Sequence, residues 1–143
     1  MSKVDFHILD GAENSTILKY TCRLVRKAYK GGFRVYIRSE NEQEMKLLDT
    51  LLWTFSELDF IPHATLDTEC GQEAVIIGMI ERPGDSKTVL INLSTQMTDN
   101  FASYSRVFEL IGNNPVAIDA GRDRYRKYRN MNVELSNHHV AAN

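Results

Sequence analysis

The chain has 143 residues, 43% of them apolar and 25% charged, the length and make-up of one globular domain with a real core. Its formal net charge of -2 argues against a protein that coats duplex nucleic acid through a domain-wide basic excess. No apolar run approaches the ~20 residues that cross a bilayer, and residues 1–10 lack the make-up of a signal peptide.

Val4 to Leu9 alternates and predicts a first strand, edged by Asp10-Gly11. Asn14 or Ser15 then caps a helix whose apolar residues, among them Ile17, Leu18, Cys22 and Val25, recur at helical spacing until Gly31-Gly32 stops it. Phe33 to Ile37 predicts a second strand, and strand–helix–strand over ~35 residues is a βαβ unit, which implies parallel pairing. Ser39 and Glu42 have capping-box spacing for a helix reaching about Trp53. Thr54 to Pro62 reads as irregular but apolar, and Thr65 to Glu73 as a loop. Ala74 to Gly78 and Thr88 to Leu93 predict strands, the second buried and central, with turn chemistry between them. Phe101 to Ile111 reads as an amphipathic helix ended by Gly112-Asn113-Asn114-Pro115, and Val116 to Ile118 as a short last strand. A basic helix follows from about Ala120 to Met131, and residues 137–143 read as a disordered tail. The expected fold is α/β: a three-layer Rossmann-like single domain over residues 1–136, with a mostly parallel central sheet and no nucleotide-binding loop.

The chemistry that such a fold invites is missing. The turn after the first strand, Asp10-Gly11-Ala12-Glu13-Asn14, has one glycine and two carboxylates where a phosphate loop needs several glycines and no negative charge. Cys22 and Cys70 stand far apart without metal-ligand spacing, so two reduced thiols in a cytosolic protein are expected. His7, His63, His138 and His139 form no metal spacing with a cysteine or carboxylate, so no metal and no cofactor is expected. No nucleophile motif such as G-x-S-x-G occurs, and the residues support no enzymatic activity.

Two segments remain. Trp53, Phe55, Phe60, Ile61 and Pro62 are either core or an apolar docking patch. Arg122-Asp123-Arg124-Tyr125-Arg126-Lys127-Tyr128-Arg129 concentrates five basic residues and two tyrosines in a slightly acidic chain. A helix there places Arg122, Arg126 and Arg129 on one face beside Tyr125, with Tyr125 or Tyr128 available to staple it to the sheet. It is a solvated face, a single-stranded nucleic-acid site, or a site for an acidic peptide. One short helix suits the peptide better than DNA.

The chain resembles the chi subunit family of bacterial DNA polymerase III. The resemblance rests on Phe6-His7-Ile8-Leu9-Asp10, Gly32-Phe33-Arg34-Val35, Leu52-Trp53 with Phe60-Ile61-Pro62-His63, Leu90-Ile91-Asn92-Leu93 and the basic stretch, in that order over nearly the full length. It implies a non-catalytic, cytoplasmic adaptor of the clamp loader, brought to the nucleoid by the replisome and touching DNA only indirectly. The implied partners are the psi subunit, or an accessory repair helicase on the same side, and the acidic C-terminal tail of the single-stranded-DNA-binding protein. The implied tail-binding residues are Arg122, Tyr125 and Arg126, with an apolar wall near Pro115 to Ile118. Arg124, Lys127 and Arg129 are supporting field or solvated charge on this reading. The implied psi or helicase residues are Trp53, Phe60, Pro62 and His63. Ile118 departs from the family type, which carries a lysine one turn before Arg122. The alternative function is a small single-stranded nucleic-acid-binding module that uses the basic helix.

Overall fold

A computed structural model of the chain describes residues 3–10, 14–54, 63–65 and 74–140. Seven strands form one sheet: β1 (Lys3–Leu9), β2 (Arg34–Arg38), β3 (His63–Thr65), β4 (Val75–Gly78), β5 (Thr88–Asn92), β6 (Arg106–Ile111) and β7 (Glu134–Val140). Their order is β3-β4-β2-β5-β6-β1-β7, and every pairing is parallel. Three helices, α1 (Asn14–Lys30), α2 (Glu42–Thr54) and α3 (Pro115–Asn130), cover the faces.

The two cores follow from strand alternation. On one face Val35, Ile37, Val75, Ile77 and Ile91 pack under α1 and α2, against Leu18, Cys22, Val25, Met45, Leu48 and Leu52. On the other, Val4, Phe6, Tyr36, Leu90, Val107 and Ile111 pack under α3, against Tyr128. The segment joining β4 to β5 crosses this second face: the Tyr36 hydroxyl donates to the Ile80 carbonyl, and that of Tyr104 to the Arg82 carbonyl. The turn chemistry at 81–87 therefore serves a crossover strap between parallel strands. Cys22 is a free, buried thiol whose pKa burial pushes up to about 11, so it is inert at neutral pH. Gly32 takes a φ of 87°, the left-handed cap that ends α1.

Five readings of the sequence need correction. Residues 106–111 form β6, a strand rather than a helix, after a short 3-10 turn at Phe101–Ser103. β6 is covered on both faces, so it loses the alternation that marks a half-buried strand, and Phe101, Tyr104, Phe108 and Ile111 fall by chance at helical spacing. Val116 to Ile118 form the first turn of α3, not a strand. The Asn114 side chain accepts from the Ala117 amide at 2.9 Å and Pro115 takes the first helical position, a strong start signal. Residues 137–140 are not a disordered tail: Asn137 to Val140 pair in register with Phe6 to Leu9. Their polarity is that of an exposed edge strand. The capping box of α2 lies two residues later than Ser39/Glu42. Asn41 Oδ1 accepts from the Glu44 amide and Glu44 Oε1 from the Glu40 amide, both at 2.8 Å. The residues 66–73 read as a loop lie outside the described residues, and Thr65, read with them, ends β3.

Candidate functional site: a cavity under the basic helix

The chain leaves β1 through α1 on one face and leaves β6 through α3 on the other. Divergence of connections between neighbouring strands opens a crevice at their carboxyl ends. A cavity of about 530 Å3 lies there. Phe6, Ile8 and Leu9 of β1, Ile111 of β6 and Ile118 of α3 give it apolar walls. Arg122, Asn113, Asp10, Asn137 and His139 give it a polar rim.

The sequence of α3 divides its charged residues between two tasks. Gly121, Arg124 and Tyr128 face the sheet and are buried. A Cβ on Gly121 would stand 2.4 Å from Ile111 Cδ1, so the missing side chain lets the helix approach β6 closely. Arg124 Nε donates to Glu109 Oε1 at 3.0 Å and Nη1 to the Thr95 carbonyl at 2.9 Å. The Tyr128 hydroxyl donates to Glu109 Oε2 at 2.7 Å, and Asn92 Nδ2 to Glu109 Oε1 at 3.0 Å. Burial pushes the Glu109 carboxyl upward, and Arg124, Tyr128 and Asn92 oppose that push by favouring the anion. Burial, aided by the Glu109 charge, also raises the Tyr128 phenol far above its ordinary value and keeps it a donor. Arg124 is thus a structural cation and not a solvated charge.

Arg122 is exposed and lines the cavity beside half-buried Tyr125. The Tyr125 ring meets Phe6 edge-on, with centroids 5.3 Å apart. Arg126 is exposed, is not on the cavity lining, and pairs with Asp123 at 3.0 Å. Of the wall implied at Pro115 to Ile118, only Ile118 lines the cavity. Its side chain adds apolar surface to the wall at that point. Asn137 and His139 read as tail, Ile111 as helix and Ile8 only as part of the first strand, so no local signal in the sequence marks them as cavity residues.

Trp53 and the backbone of His63 lie toward the opposite edge of the sheet. Trp53 is 58% exposed at the end of α2. His63 opens edge strand β3 and pairs with Val75. Phe60 and Pro62 lie outside the described residues. No described helix is long and apolar enough to cross a membrane.

A parallel three-layer α/β domain with a largely apolar cavity at its strand ends, arginine and histidine on the rim, is a Rossmann-like domain. Comparison with known proteins narrows that class. The family model described as DNA polymerase III chi subunit, HolC, matches residues 1–136. A protein named DNA polymerase III subunit chi from Pseudomonas aeruginosa is 36% identical over 140 residues, 98% of each chain. One of the same name from Escherichia coli is 25% identical over 142 residues, 95% of this chain and 97% of the relative. Among solved structures, T4 UvsW superposes with a TM-score of 0.74 at 10% identity, over 99% of this chain and 42% of that one, a likeness of fold alone. The chain belongs to the DNA polymerase III chi subunit family, whose members are accessory subunits in DNA replication.

Proposed function

We propose that this protein is a non-catalytic, cytoplasmic adaptor of the replicative clamp loader. In this reading the cavity under α3 takes the acidic C-terminal tail of the single-stranded-DNA-binding protein. The observation that carries it is the pairing of apolar walls with an exposed Arg122 on the rim, in a chain of net charge -2. A chain terminus that ends in apolar side chains and a free carboxylate fits such a cavity: the side chains fill the walls and the carboxylate meets the guanidinium. Exposed ion pairs each contribute only ~0.2–1 kcal/mol, so single-site affinity is micromolar and salt-sensitive, and a tetrameric partner raises it by multivalency. The test is a titration of the full chain with a labelled tail peptide, with and without its last two residues. Saturable binding that truncation abolishes supports the reading, and equal binding of both peptides overturns it.

The opposite edge, marked by Trp53 at the end of α2 and by His63 on β3, docks the psi subunit or an accessory helicase, with Phe60 and Pro62 of the intervening sequence as further contacts proposed from the family resemblance. An exposed tryptophan there supports this, because buried aromatic anchors dominate interfaces. Trp53→Ala is expected to weaken psi capture about tenfold or more, with tail-peptide affinity unchanged. Loss of both together would mark unfolding instead. The nucleic-acid alternative is less well supported. Arg124 is buried and Arg126 is paired, which leaves a small positive footprint.

A further inference from the structure

His7 and His138 are register partners on β1 and β7, and Asp5 lies two residues before His7, on the same face of β1. One potential ligand atom from each lies within 4.8 Å of the others. Spacing in the sequence hides this cluster, because parallel pairing brings together strands from the two ends of the chain.

We propose that Asp5, His7 and His138 form a binding site for a divalent transition metal of the zinc type, open on its fourth side to the cavity beneath α1. The donor set of two imidazoles and one carboxylate suits zinc, cobalt or nickel rather than magnesium or calcium. Both deeper ligands have supporting partners. The Tyr20 hydroxyl holds His7 Nδ1, which leaves Nε2 to ligate when Nδ1 carries the proton. Arg106 holds Asp5 Oδ2 through Nε at 2.7 Å and through Nη2. Asp5 is 0% exposed, yet its Oδ1 has no hydrogen-bond partner. A buried carboxylate oxygen left unpaired is costly, and a cation relieves that cost.

Tetrahedral ligands at ~2.0 Å bonds stand roughly 3.3 Å apart, so the three must close slightly. His138 is exposed on an edge strand and is free to make that movement. The adjoining cavity, about 340 Å3, is also lined by Lys27 and Arg106. Their positive charge works against a bare dication and makes the fourth ligand an anion, such as hydroxide or a small carboxylate. A metal here clips β7 to β1.

The test uses the full chain, stripped with chelator and desalted, then titrated with cobalt(II) and followed in the visible range. Expected are the bands of a distorted tetrahedral centre, saturating at one equivalent and displaced by zinc, with a zinc-dependent rise in Tm. His138→Ala, an exposed change that leaves the fold intact, is expected to weaken cobalt binding about tenfold or more, while His139→Ala leaves it unchanged. Absence of saturable bands overturns the site. So does wild-type affinity in His138→Ala, or an equal loss in His139→Ala, which would mark adventitious binding to neighbouring surface imidazoles.

Discussion

Replacing Arg124 by alanine is expected to destabilise the fold by about 3–5 kcal/mol, the cost of breaking a buried ion pair from one side. Glu109 is fully buried, and the Arg124 side chain is 4% exposed, so no water stands ready to replace the guanidinium. Tyr128 and Asn92 still donate to Glu109 in the variant, but they are neutral. The Thr95 carbonyl loses its donor as well. For a chain of this size the change lowers Tm by about 10–15 °C. Equilibrium denaturation measures it, and a loss under 1 kcal/mol would show that Glu109 is held neutral or is reached by solvent. Adding Glu109→Gln to Arg124→Ala is expected to recover part of the loss, because it removes the orphaned charge. The network also fixes the register of α3 on the sheet, and with it the position of Arg122 over the cavity.

Replacing Arg122 by alanine is expected to weaken tail-peptide binding about 5- to 30-fold, which corresponds to ~1–2 kcal/mol for a charge-assisted contact at a partly open site. Arg122 is exposed and no described contact ties it into the core, so Tm stays within about 1 °C of wild type. Raising ionic strength should weaken the wild type more than the variant, since the variant has lost part of the screened attraction. Arg126→Ala is expected to cost under about threefold, because that side chain already pairs with Asp123 and stands off the cavity lining. Unchanged affinity in Arg122→Ala would remove the cavity under α3 from the tail-binding reading. A larger effect at Arg126 would move the site outward along the helix.

Much of the architecture was legible because local rules and global fold agree. The first strand–helix–strand succession, the glycine stop at Gly32, the strands β4 and β5 and the central place of β5 followed from periodicity and turn chemistry, but the expected pairing of the first two strands did not: β1 and β2 run parallel with β5 and β6 between them. Where the reading failed, tertiary burial had erased the local signal. β6 is covered on both faces and carries a charged residue inward, so Arg-Val-Phe-Glu-Leu-Ile no longer alternates. Asn137-His138-His139 reads as tail, and only the pairing with β1 makes it a strand.

The sequence by itself determined the class of fold, the absence of a phosphate loop, the family resemblance, and that Arg122 and Tyr125 belong to one basic helical face. These rest on residue type and spacing along one element, which local geometry converts directly into shape. The tertiary structure alone decided which arginines are free to act. Arg122 and Arg124 are two residues apart, yet the first faces solvent at the cavity and the second is consumed by Glu109, fifteen residues earlier in the chain. It also alone brought Asp5 and His7 against His138. A helix or strand displays its own residues in a fixed pattern, but what each meets depends on which elements the sheet order makes neighbours, and no local spacing records that.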